Sequence, residues 1–206
     1  MLTLYYAPGT CARASHIALE CAGARYETHR LDFRQQQQRS ADYLRINPKG
    51  RVPALVTPQG VITETPAILQ YIAQSFPDAG LAPLGDAFAM AKVNEFNAYL
   101  SSTVHVAHAH GPRASRWADD AAAQAAMKAK VAQNMGDAFE LIDGQMLQGP
   151  WVMGGQFTIC DPYLFTLASW LRGDGVDIAR FPKVADHYAR MSADERVRKV
   201  LAAETA

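Results

Sequence analysis

The sequence carries no excess of charge of either sign: Lys and Arg number 20 and Asp and Glu number 20 in 206 residues. A chain without a net field exerts no long-range pull on a nucleic-acid backbone or an anionic membrane. Small molecules and other proteins are therefore the partners to look for. No apolar run is long enough to span a bilayer. The opening residues, MLTLYYAPG, lack a basic segment followed by an apolar stretch, which speaks against a secretory leader. Cysteine is scarce. Three residues, Cys11, Cys21 and Cys160, are an odd number at scattered positions and make no disulfide framework. A reducing cytoplasm suits such a chain. Internal repeats are missing too, and the one low-complexity patch, QQQQ at 35–38, reads as a solvated loop.

What is present is ordinary globular material. Hydrophobic residues make up 49% of the chain and charged residues 19%, enough for one large domain or two modest ones. The first part alternates short strand-like and helix-like runs. LTLYY reads as a strand, and ARASHIALECAG as a helix with Ile17 and Cys21 on one face and Gly23 as its stop. YETHRL alternates like a second strand and SADYLRIN suits a short helix. VPALVT and VIT, separated by PQG, read as a hairpin, and TPAILQYIAQSF as an amphipathic helix. The order β-α-β-α-β-β-α predicts a mixed sheet covered by helices over residues 1–77. PDAGLAPLGD is rich in proline and glycine and reads as a linker over 78–86. Residues 87–206 carry almost only helical signals, including two long segments that suit an antiparallel pair. PYLFTLASWL is apolar nearly all round and predicts a buried central helix. The fold class is therefore α+β, an α/β-layered first domain followed by an all-helical one.

Three short segments of the first domain place chemistry-bearing groups at junctions. Cys11 follows Pro8-Gly9 and precedes a helix. Unpaired N–H groups and the macrodipole at a helix start favour an anion, which predicts a thiol with a lowered pKa. The alternative is a small residue filling a turn. Ala14 occupies the second cysteine position of a C-x-x-C motif, which speaks against a protein dithiol oxidoreductase. In NPKGRVPALVT, Pro53 opens a strand after a glycine-containing turn and is a candidate cis-proline, with an ordinary trans proline as the alternative. A cis Val52–Pro53 bond leaves the backbone of Val52 free to pair with an extended peptide. In ITETPAIL, Thr65 is a natural N-cap and Pro66 suits the first helical position. The helix start holds a carboxylate and the Glu64 side chain an ammonium, the two charges of an α-amino acid head group. Plain capping accounts for Thr65 but leaves Glu64 unexplained.

A loop cysteine, a Val-Pro strand start and a Glu-Thr helix start, in that order, resemble the thioredoxin-like domain of glutathione transferases. YYAPGTCARASHIAL is similar to the bacterial beta class, which carries a cysteine in this loop. The resemblance covers the whole chain. FTICDPYLFTLASW resembles the family's buried helix with its capping box, Thr158 answered by Asp161, although Pro162 in its first turn is unusual. The resemblance implies a glutathione site. Val52 and Pro53 would meet its cysteinyl part, Glu64 and Thr65 its γ-glutamyl head, and Cys11 its sulfur. LSSTVH resembles the segment whose histidine faces that sulfur, which makes His105 a thiolate hydrogen-bond donor. Three positions depart from the pattern. A lysine near the glycyl end falls at about Gln36, with Arg34 or Arg39 as substitutes; a partner-subunit asparagine falls at Ala98, beside Asn97; a lysine after the histidine is Val106. A metal site of His105, His108 and His110 is the competing reading, but carboxylates and cysteines are missing nearby.

The implied protein is a cytoplasmic homodimeric transferase that uses glutathione as co-substrate and no metal. It conjugates the thiolate to a small apolar electrophile, or exchanges thiol and disulfide through Cys11. A glutathione-dependent isomerase or dehalogenase, and a non-catalytic binding protein, are the alternatives.

Overall fold

The computed structural model of the protein describes residues 1–205. Its first part follows the expected order: β1 Leu2–Tyr6, α1 Ala12–Cys21, β2 Tyr26–Arg30, α2 Ala41–Ile46, β3 Ala54–Thr57, β4 Gly60–Thr63 and α3 Thr65–Ser75. The strands form one sheet in the order β2-β1-β3-β4, with β1 parallel to β2 and antiparallel to β3. Burial along LTLYY explains the choice of face. Leu2, Leu4 and Tyr6 are buried and alternate with half-buried Thr3 and Tyr5. Cys21 and Cys160 lie within or against the core, as expected of structural thiols.

The rest of the chain is helical: α4 Ala87–Tyr99, α5 His105–Ala109, α6 Ala121–Leu141, α7 Cys160–Ala168, α8 Pro182–Ala193 and α9 Glu195–Thr205. The segment read as one long helix from Ala87 contains a π-helical turn over Leu100–Val104. One extra residue in that turn re-aims α5, whose first residue is His105. Every residue of α7 is buried, consistent with its apolar sequence. The small side chains Ala12, Ala14 and Ala18 on α1 let that helix pack closely against α7, α9 and α3 at once. One continuous core therefore runs from the sheet into the helical part.

The capping box at α7 exists in altered form. The Asp161 carboxylate accepts from the Thr158 N–H at 2.6 Å, as a box requires, while the Thr158 hydroxyl lies 3.3 Å from the Cys160 N–H. The box is larger than the sequence showed. Asp161, fully buried, also accepts from the Val152 N–H at 2.8 Å and pairs with Nε2 of His187 at 3.0 Å. Those two bonds tie α7 to α8 and to the turn before α7.

Candidate active site

β1 ends at Tyr6, and the chain turns through Gly9, whose φ of +69° is left-handed and natural only for glycine. Cys11 then stands at the N-cap of α1. The turn is clamped from the helical part of the chain. The Trp170 indole N–H donates to the Gly9 carbonyl at 2.9 Å, and the Gly9 N–H donates to Oε2 of Glu204 at 3.1 Å. Arg13 donates to the same oxygen through Nε at 3.0 Å and Nη2 at 2.6 Å, and through Nη1 to the Ser169 hydroxyl at 3.0 Å.

The Cys11 thiol is buried, 8% exposed, and lies 3.6 Å from the Val52 carbonyl oxygen, to which it donates. Burial pushes its pKa up, against the opposing pull of the Thr65 hydroxyl and the Arg113 charge. The expectation of a lowered thiol pKa is therefore corrected. The helix start is where the sequence put it, but the side chain is packed away from water, and desolvation of the thiolate outweighs the terminus.

The Val52–Pro53 peptide is cis, and its approach is held by Tyr43 and Asn47, which both donate to the Arg51 carbonyl at 2.6 Å. At the next corner Glu64, not Thr65, is the N-cap of α3, and Thr65 is its buried first residue. Glu64 has a φ of +73°, an uncommon backbone state for a side chain other than glycine. Its exposed carboxylate forms an ion pair with Lys49, a residue to which the sequence assigned no role.

His105 leaves the π-helical turn and packs against Trp170, ring centroids 5.1 Å apart. Burial lowers its pKa to about 4, helped by the positive surroundings of His108, Arg113, Arg116 and Arg51. It is a neutral imidazole at pH 7. His108 stacks on the same indole at 4.2 Å, and its Nδ1 lies 2.8 Å from Asp174. His110 packs edge-on against Trp117. Among the described residues no group of three His, Cys, Asp or Glu side chains is arranged to hold a metal.

Cys11, Val52, Pro53, Glu64, Thr65 and His105 all line one cavity of about 340 Å³ between the sheet-bearing part and the helices. Of the substitute cations, Arg39 lines it, whereas Gln36 and Arg34 are exposed outside it. Val106 lines it as well, and Asn97 is buried at 1% exposure. Sequence reasoning missed Trp170, Arg51 and Glu204. Trp170 and Glu204 reach the Gly9 turn from more than a hundred residues away, and Arg51 shows only as a lining residue of the cavity, so no local spacing signals them. Tyr6 is a buried core residue and Tyr5 packs on Tyr43, and neither lines the cavity.

Two family models match the chain, the glutathione S-transferase N-terminal domain over residues 1–74 and the glutathione S-transferase C-terminal domain over 117–190. A glutathione S-transferase of Xanthomonas campestris pv. campestris is 30% identical over 203 residues, covering 98% of each chain. Among solved structures, a glutathione transferase homologue from Sulfitobacter with bound glutathione is 43% identical, with a TM-score of 0.96 over 100% of this chain and 99% of that one. A beta class glutathione S-transferase from Sphingomonas chungbukensis is 29% identical, with a TM-score of 0.85 over 98% of both chains.

Proposed function

The chain belongs to the glutathione S-transferase family, with bacterial beta class enzymes among its structural relatives, and from that premise we propose that it conjugates glutathione to small electrophiles in the cavity beside Cys11. The observation that carries the reading is the convergence of all six candidate residues on one cavity, in a fold whose Sulfitobacter relative holds glutathione. The γ-glutamyl head belongs at Glu64 and Thr65, the cysteinyl part along the backbone of Val52 and Pro53, and the glycyl carboxylate at Arg39. The sulfur lies between Cys11 and His105.

Each residue then has a defined task. Neutral His105 donates a hydrogen bond to the glutathione thiolate. Arg113 adds positive potential at the same place, so the thiolate is favoured over the thiol. Cys11, kept protonated by its burial, can offer its one thiol hydrogen to the arriving sulfur only by turning it from the Val52 carbonyl. The thiolate attacks the electrophilic carbon, a C–S bond forms, and the leaving group departs with its electron pair. The raised pKa of Cys11 favours this route over exchange through its own sulfur.

The electrophile lies against the aromatic side chains of the helical part. A homodimer is the assembled form that the family resemblance implies, and Phe88, 78% exposed on α4, is an apolar ring that a partner would cover. A cytoplasmic location is consistent with three free cysteines, and no helix is long and apolar enough to cross a membrane among the described residues. The test is retention on immobilised glutathione followed by conjugation of chlorodinitrobenzene. Retention with turnover that survives Cys11→Ala and drops in His105→Ala is the expected result. Failure of retention, or turnover abolished by Cys11→Ala alone, overturns the assignment of roles.

A further inference from the structure

The cavity is strongly one-signed in a chain whose charges balance overall. Four arginines line it: Arg39 and Arg51 from the sheet-bearing part, Arg113 and Arg116 from the segment after α5. Among the described residues none of their side chains forms an ion pair or a side-chain hydrogen bond. The one carboxylate in the lining, Glu64, is already engaged by Lys49. The four are close enough to feel one another. Burial first, and then the charges of Arg113, Arg51 and Arg39, lower the pKa of Arg116 to about 10. Like charges gathered without counter-charges raise the free energy of the empty site and are offset only when an anion arrives.

Glutathione does not supply enough negative charge. With its thiolate formed it carries two carboxylates, one thiolate and one ammonium, a net charge of roughly −2 at neutral pH. Under the proposed function its glycyl carboxylate belongs at Arg39, which leaves the charges of the other arginines in the lining unmatched. Arg113 and Arg116 stand with Trp117 and Trp170 around the part of the cavity lined by the helical residues. Trp117 is 46% exposed, and its indole is a flat apolar surface in the lining of the same cavity as Arg113 and Arg116. That combination fits a flat ligand with an anionic substituent.

We propose that the electrophile this enzyme takes is an anionic aromatic or planar compound, bearing a carboxylate or sulfonate that Arg113 and Arg116 receive. This rests on the transferase reading and narrows the apolar electrophile expected from the sequence to one with an apolar body and a charged end. Where such a compound is an aryl halide, the carbon–sulfur bond to the thiolate forms and the carbon–halogen bond breaks. Halide leaves with the electron pair, and the carboxylate does not change. Binding by two guanidinium groups fixes the ring face toward the thiolate.

The experiment compares 4-chloro-3,5-dinitrobenzoate with its methyl ester. Binding is read from quenching of tryptophan fluorescence in the presence of S-methylglutathione, which occupies the glutathione contacts but cannot react. The benzoate is expected to bind about tenfold more tightly than the ester. The preference should fall to within about twofold in the Arg113→Gln, Arg116→Gln double variant and shrink as salt is raised. Equal dissociation constants for acid and ester in the natural chain overturn the proposal. So does a preference for the acid that the double variant retains. Calorimetry of S-methylglutathione alone keeps the two readings apart. If it does not bind, the glutathione assignment fails, and the acid-to-ester preference measured without it still decides the anion site.

Discussion

Glu204 lies far along the chain from Cys11, yet one of its carboxylate oxygens accepts from the Gly9 N–H and from two nitrogens of Arg13. The side chains of Arg13 and Glu204 are only 13% and 3% exposed. Replacing Glu204 by alanine leaves the Arg13 guanidinium largely buried with only Ser169 as a partner, a change that costs about 3–5 kcal/mol for a buried pair. Glu204→Gln keeps an acceptor and the volume but loses the charge, for roughly 1.5–3 kcal/mol. A double change to Arg13→Met and Glu204→Leu removes both charges and should recover much of the loss, because no ion is left uncompensated. Urea unfolding monitored by tryptophan fluorescence reads the stabilities. A second readout locates the effect. The clamp holds the turn that carries Cys11, so alkylation of Cys11 by iodoacetamide should accelerate in Glu204→Ala under conditions where the protein is still folded. An alanine variant with an unchanged urea midpoint and an unchanged alkylation rate would refute the reasoning. An equal destabilisation in the single and double variants would show that lost packing, not the stranded charge, is the cause.

Asp161→Ala removes the acceptor of the Val152 and Thr158 N–H groups and of His187, all buried, and should destabilise the fold by on the order of 3 kcal/mol, visible as a lower Tm with unchanged glutathione binding. Glu64→Gln should weaken glutathione binding by about tenfold in calorimetry, the value of one charge-assisted bond, with the Tm nearly unchanged because Glu64 is exposed; equal affinities would remove Glu64 from the site. His105, with its folded pKa near 4 and an unfolded value near 6.5, takes up its proton first in the unfolded chain. Stability should therefore fall as pH drops from about 6.5 to 4, by at most about 3 kcal/mol, and His105→Gln should flatten that slope in urea titrations.

The order of strands and helices was legible because each first-domain element carries its own local period and its own stop. The helix start at Cys11 and the α7 box were legible for the same reason: caps are read from residues within one turn. Boundaries were less so. Thr65 is a better capping residue than Glu64, yet the chain enters α3 through a positive-φ Glu64, a conformation that local preference disfavours and the surrounding structure imposes. The π-helical turn before His105 left no sequence signal, since it reads as continuous helix. The clamp on Gly9 was illegible for a different reason. Glu204 and Trp170 meet that turn only because α7 and α9 pack on α1, and a pattern of short range carries no record of such a meeting.

The thiol shows how two correct local arguments can give the wrong sign together. A helix start stabilises an anion by about 0.3–1 kcal/mol near the surface. Desolvating a thiolate opposes it, and at 8% exposure that penalty is the larger effect. The two act on different atoms once a ligand is present. Cys11 Sγ is turned toward the Val52 carbonyl and bears the desolvation, whereas the cavity beyond it holds Arg113 and the other arginines. A thiolate that arrives from outside would meet the positive potential without first being stripped of its hydration in the core. Under the proposed function, the same burial that raises the Cys11 thiol pKa favours a sulfur brought by the ligand, whose anion the helix start would receive in place of the protein's own.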